Sequence, residues 1–290
     1  MKNCALVVSS GGARGFAAIG IIEELEKRGY NIKSVAGCSI GSLITGMYAA
    51  GKLEDFKRWS LSLTKKDILM LMDINVGLQG ILRGEKVFEE IKKNFDDINI
   101  EKLDIPYAAV AVDLLSGEEI VFKKGSLFSA IRASCSVPSL MKPFKKDDKI
   151  LVDGGIKNPL PFSIVSKNKK ETLIGVDLNC FKKNKENKES YFGEYQKYID
   201  SLNSYMPVFL KKMIKTKDKE VGGYIDISAR SFKIMQDELA NNSIKKHKPD
   251  ILFEISRDSC NMLNFFKARE LIDFGRLVAQ KKINNLEKQA

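Results

Sequence analysis

The chain has 290 residues, 44% hydrophobic and 29% charged, which excludes a disordered polyelectrolyte and allows one large α/β domain or two small ones. Lys and Arg number 48 against 37 Asp and Glu; the net charge of +11 favours anionic surfaces without choosing among lipid headgroups, nucleic acid and acidic substrates. Cys4, Cys38, Cys135, Cys180 and Cys260 are scattered and form no C-x-x-C pair, so neither a disulfide framework nor a zinc site is expected.

In chain order, Cys4–Ser9 reads as an apolar strand and Gly15–Arg28 as a helix with Ile19, Ile22 and Leu25 on one face. Ile32–Ala36 is predicted as a second strand, and Ile40–Ala50 as a helix ended by Gly51. Strands follow at Tyr107–Val112 and Ile120–Phe122, a helix near Leu127–Ser134, and strands at Ile150–Val152 and Leu173–Val176. Phe181–Ser190 is rich in Lys, Asn and Glu and reads as a solvated loop. Helices are expected within Tyr191–Lys215 and Tyr224–Asn241, a strand at Ile251–Ile255 and a closing helix over Phe265–Leu286. Strands alternating with helices predict an α/β fold, a mostly parallel sheet with helices on both faces. One domain is expected over 1–290, with a motif-bearing core over 4–178 and a basic, helical part over 179–290.

Three short motifs carry chemistry. Gly37-Cys38-Ser39-Ile40-Gly41 sits between a strand and a helix, as a G-x-S-x-G elbow does, with glycines flanking a serine on a sharp turn. The helix that follows points its N-terminal amides towards that serine. A chance match, with Ser39 as a mere N-cap, is the competing interpretation.

Ser10-Gly11-Gly12-Ala13-Arg14-Gly15 is a glycine turn feeding a helix, suited to a phosphate or an oxyanion. A dinucleotide site wants an acidic residue at the end of the second strand, yet none stands between Glu26 and Glu54. A P-loop wants Lys where Ile21 stands. The oxyanion interpretation is therefore preferred. Arg14 is expected either to order this loop or to meet a phosphate headgroup, with a salt bridge at the helix start as the plainer role.

Asp153-Gly154-Gly155 follows an apolar triplet, and taken alone reads as a hairpin turn. The histidine count changes the odds. His247 is the chain's one histidine and lies among lysines, as a surface loop residue would. A Ser-His-Asp triad is hard to build from it, and a carboxylate base is the natural substitute.

In this order the three motifs resemble the patatin-like phospholipases. So do Ala133-Ser134-Cys135-Ser136-Val137-Pro138, Asn158-Pro159 and the strand-ending Asp113. The likeness covers Leu6 to about Asp177. It implies a patatin-like three-layer sandwich and a Ser39–Asp153 dyad cutting lipid esters. Gly11, Gly12 and Ala13 would form the oxyanion hole, supported by Arg14, Gly15, Gly37, Gly41, Gly154 and Gly155. No cofactor, metal or nucleic acid is expected. Two positions depart from the pattern: Ser10 fills the first glycine slot, and Ala18 replaces a histidine of some bacterial members.

Ala5–Val8 is too short for a signal-peptide core, and no apolar stretch approaches bilayer length, so a cytoplasmic protein is expected. Peripheral contact with an anionic inner membrane surface is expected from the basic charge, from the apolar 67–80 segment and from the Met/Phe stripe with lysines over 205–215. Core packing is the plainer role for both segments. Two alternatives remain: a non-catalytic membrane-surface binding protein on this scaffold, and a nucleotide-binding α/β protein.

Overall fold

The computed structural model describes residues 2–77, 80–82, 85–138, 140–180 and 224–288. The predicted loop at 181–190, the helix within 191–215 and the basic stripe around Lys211 lie outside them.

Among the described residues the main sheet has eight strands. They are β1 (Lys2–Val8), β2 (Tyr30–Cys38), β5 (Tyr107–Asp113), β6 (Glu119–Phe122), β7 (Phe144–Lys146), β8 (Lys149–Asp153), β9 (Thr172–Cys180) and β10 (Ile251–Ser256), while β3 (Ile74–Gly77) and β4 (Gly80–Leu82) form a separate hairpin. The order is β10-β9-β1-β2-β5-β8-β7, with β6 also on β5; the run from β10 to β5 is parallel, and β6, β7 and β8 pair antiparallel.

Strand alternation sorts side chains onto two faces. Cys4, Leu6 and Val8 face one way, against α1 (Phe16–Lys27), α2 (Ile40–Ala49), α6 (Leu127–Ser134) and α8 (Ala268–Glu287). Ala5, Val7, Ala36, Cys38, Ala108 and Val110 face the other way, against Leu160, Phe162 and Ile164 and against Ala240 of α7 (Tyr224–His247). The second face is lined by small residues, which lets its cover lie close. Helices thus cover both faces, as the alternation predicts. In β2 the pairing with β1 skips Lys33, a one-residue bulge that brings Ile32 and Val35 onto the same face.

Several element bounds differ from the sequence prediction. The first helix is preceded by a 3-10 turn, Gly12–Gly15, because Gly12 sits at φ +58, outside helical space. β2 continues through Gly37 and Cys38, so the turn begins only at Ser39. Three short helices stand between the predicted elements: α3 (Leu53–Ser62), α4 (Lys65–Leu71) and α5 (Glu85–Asn94). α3 and α5 bury two residues each, Phe56 with Ser60 and Phe88 with Ile91. The hairpin turn that Asp153-Gly154 would suggest taken alone does not form; the β7–β8 turn is Asp147-Asp148, with Asp147 at φ +51.

α1 and α8 cross through glycines. A Cβ at Gly20 would lie 2.0 Å from the Ile272 carbonyl oxygen, and one at Gly275 would lie 1.9 Å from that of Ala17. Backbone on backbone cannot yield without separating the helices. Gly275→Ala is therefore expected to destabilise the fold by about 2–3 kcal/mol. The measurement is a lower urea midpoint at unchanged m value.

Candidate active site

The topology of β5 brings two distant motifs together. Ala109 and Val110 pair with Gly37 and Cys38 of β2 on one edge, and with Phe122 and Val121 of β6 on the other. Ala111 and Val112 keep β6 on that second edge, so their partners in β8, Asp153 and Val152, occupy the edge β2 has left. β8 runs antiparallel to β5. Its last residue, Asp153, therefore arrives where β2 ends at Cys38 and the chain turns through Ser39.

The turn is tight. Ser39 sits at φ 54 and ψ −127, a conformation that costs a non-glycine residue about 1–3 kcal/mol. Its backbone is pinned on both sides: its N–H donates to Ser134 Oγ (2.9 Å), and its carbonyl accepts from the Ser42 N–H (2.8 Å) and Ser42 Oγ (2.6 Å). The flanking glycines are there for close approach. A Cβ at Gly37 would lie 2.3 Å from the Gly41 carbonyl carbon, and one at Gly41 would lie 2.3 Å from the Val8 oxygen. Gly15 makes room for Ile40 in the same way.

Asp153 is buried at the end of β8 and caps a 3-10 turn, Gly154–Ile156. Its Oδ1 accepts from the Gly155 N–H at 2.7 Å and from the Cys38 thiol at 3.5 Å. Oδ2 is buried with no hydrogen bond of good geometry. Burial pushes the carboxyl up to about 6, and the Ser39 hydroxyl, the Gly155 amide and the Cys38 thiol offset part of that rise. The neighbouring thiols are poor nucleophiles. Burial first, then the charge of Asp153, hold Cys38 well above its usual range, and the same two effects push Cys135 up to about 12.

The glycine loop passes between the ends of β1 and β9. The Ser10 N–H donates to the Pro159 carbonyl (2.9 Å), and Asn179 Nδ2 donates to the Ser10 carbonyl (2.6 Å) and to Ser10 Oγ (3.3 Å). Ser10 has an ordinary negative φ, so a side chain in the first glycine slot is tolerated without strain. Gly11 and Gly12 need to be glycine: a Cβ would lie 2.5 Å from Leu178 Cβ or 2.4 Å from the Met262 oxygen, respectively. Of the three loop amides, that of Ala13 is already donated to the Met262 carbonyl at 2.8 Å. Among the described residues no acceptor takes those of Gly11 and Gly12.

Arg14 orders the loop. Its Nε donates to the Leu178 carbonyl (2.7 Å), Nη1 to the Cys260 carbonyl (2.6 Å) and Nη2 to Asn179 Oδ1 (2.5 Å). It is buried, and backbone carbonyls and the Asn179 side chain accept its hydrogen bonds. Asp113 fixes the β5–β6 turn by accepting from Ser116 Oγ (2.8 Å) and from the Ile150 N–H (3.2 Å).

His247 corrects an expectation. It lies in the last turn of α7, not in a loop, with its ring 6.0 Å from that of Phe162. Gln236 of the same helix touches Gly155, and His247 is eleven residues further on, about 16 Å along the axis. Ser134, in the stretch before Val137-Pro138, shapes the site through the Ser39 amide, and two residues outside any motif join it: Asn179 through Ser10, and Met262 through Ala13.

The sequence model of the patatin-like phospholipase family matches residues 6–166, more than half of the chain. The chain belongs to the patatin-like phospholipase family. The matched span contains the glycine loop, Ser39 and Asp153, and stops short of Asn179 and α7. An uncharacterized NTE family protein of Mycobacterium tuberculosis is 32% identical over 330 residues, covering 98% of this chain and 92% of that one. Patatin-like phospholipase domain-containing protein 6 of Mus musculus is 33% identical over 184 residues, 61% of this chain and 14% of the mouse protein. Among solved structures, VipD from Legionella pneumophila matches with a TM-score of 0.42 and 14% identity, over 95% of this chain and 67% of that one. At the level of the family, the family match and the patatin-like relative support a lipid hydrolase. No helix among the described residues is long and apolar enough to cross a membrane.

Proposed function

We propose that this chain is a serine acyl hydrolase that cleaves lipid esters with Ser39 as nucleophile and Asp153 as general base. The observation that carries the proposal is the meeting of a strained serine with a buried carboxylate at the point where β8 replaces β2 on β5. Asp153 takes the Ser39 proton as Oγ attacks the ester carbonyl carbon. The Gly11 and Gly12 amides hold the resulting oxyanion, and Ala13 joins them once its Met262 contact opens. Collapse expels the alcohol, which leaves with the proton held by Asp153. Water, deprotonated by the same carboxylate, then attacks the acyl-enzyme, releasing the fatty acid and restoring Ser39. The imidazole-free dyad fits the distance of His247.

A panel of soluble esters and phospholipids tests the proposal: turnover is expected with acyl esters and phospholipids. A protein inert towards every ester, yet bound to vesicles, would favour a non-catalytic binder.

The basic charge and the apolar segment leading to β3 support contact with an anionic lipid surface. α4 buries Ile68 but leaves Met70 half exposed. Vesicles of anionic phospholipid are expected to bind the protein better than neutral vesicles. The preference should shrink at high salt, because the attraction is screened over about 8 Å at physiological ionic strength. Hydrolysis of a short soluble ester should barely respond to the same salt. Equal sedimentation with both vesicle types would leave the charge an ordinary solvated face.

A further inference from the structure

Two consecutive residues of α7 reach the two halves of the site. Gln236 Nε2 donates to the Gly155 carbonyl at 3.1 Å. Gly155 is also the residue whose N–H holds Asp153 Oδ1 at 2.7 Å. The approach depends on glycine, since a Cβ there would lie 2.4 Å from Gln236 Nε2. Asp237 pairs with the buried Arg257. Arg257 Nη2 donates to the Asn179 carbonyl at 2.8 Å, and Asn179 holds both the Ser10 carbonyl and the Arg14 guanidinium. One helix thus reaches the Asp153 turn directly and the glycine loop through three side chains. Neighbouring residues on a helix point about 100° apart, so a single rigid element can serve both directions.

We propose that Gln236 and Asp237 are positioning residues, holding the Asp153 turn and the Gly11–Gly12 loop at a fixed spacing around Ser39; this rests on the Ser39–Asp153 reading above. The two contacts divide the labour. Gln236 fixes the residue that supplies a hydrogen bond to the base. Asp237 orients Arg257, and through Asn179 it sets the start of the amide loop. Neither touches the reacting atoms.

The test compares Gln236→Met, which keeps length but removes the donor, with Asp237→Asn and Ser243→Ala. Ser243 anchors the same helix to the Leu160 carbonyl (2.8 Å), away from both halves. Hydrolysis of a soluble ester is followed against pH in each, with thermal midpoints. Gln236→Met should lower kcat on the order of 10-fold with little change in KM. It should also move the acidic limb of the profile upward, because a loosened Gly155 amide stabilises the Asp153 carboxylate less. Asp237→Asn should lower kcat without moving that limb, and Ser243→Ala should alter stability alone. Equal losses in all three variants, tracking their midpoints, would reduce α7 to a structural cover. An unchanged profile in Gln236→Met, with Ser39→Ala inactive, would overturn the positioning role and leave the dyad standing. Activity surviving in Ser39→Ala would remove the dyad itself.

Discussion

Ser39→Ala is expected to abolish fluorophosphonate labelling and to lower ester hydrolysis on the order of 10⁴-fold or more. Among the described residues, no other group nearby can take over. Ser42 Oγ is donated to the Ser39 carbonyl, Ser134 Oγ receives the Ser39 amide, and the Cys38 and Cys135 thiols are held protonated by burial beside Asp153. The variant keeps the backbone at φ 54 with the same pinning hydrogen bonds, so its thermal midpoint should stay close to that of the parent. A kinetic loss at constant stability separates a lost nucleophile from a damaged fold. Labelling of the parent at a different serine, with hydrolysis intact in Ser39→Ala, would end the assignment.

The parts of this site that sequence makes legible are those whose chemistry is local. Gly37, Ser39 and Gly41 sit within five residues, and the strand and helix around them are strongly apolar, so the elbow is readable before any fold is known. The alternation in β1, β5 and α1 likewise marks a parallel α/β sheet. The tight turn at Gly11–Gly12 is local too, but the Ala13 amide depends on Met262, some 250 residues away, and no spacing rule reaches that far. Asp153-Gly154 carries the same local signal as a hairpin, and only the pairing of β8 with β5 distinguishes a strand end at the site from a turn. The role of Arg14 was open for the same reason: its acceptors are backbone carbonyls of β9 and of the segment after β10, which any sequence could supply. His247 reads as a loop residue in sequence because its lysine neighbours carry none of the apolar period that marks the helix before them. The short helix α5 carries Val87, Phe88 and Ile91 at helical spacing, so its period is legible in the sequence although it is not among the predicted elements.

Asp153→Asn is expected to slow hydrolysis by roughly 10² or more, because the amide keeps the size and the Gly155 contact but cannot accept the Ser39 proton. His247→Ala should leave the rate nearly unchanged, since its ring packs on Phe162 along α7, well away from Ser39. The parent should lose activity as pH falls through about 6, where Asp153 takes up its proton, and should level off above. The same carboxyl makes the opposite demand on stability. Its folded value of about 6 stands above that of an unfolded aspartate, ~3.9, so the native state holds the proton more tightly. This contribution to stability is greatest below the unfolded value and is lost as pH rises through the folded one. Above that window the buried charge weakens the fold. Asp153→Asn carries no charge there, so at pH ~8 it should be more stable than the parent by on the order of 1–3 kcal/mol, and the difference should shrink towards pH ~4. Denaturant midpoints at the two pH values measure it. A variant that lost activity together with stability would make Asp153 a structural cap, whereas lost turnover with gained stability is the signature of a base kept in an unfavourable place for its chemistry.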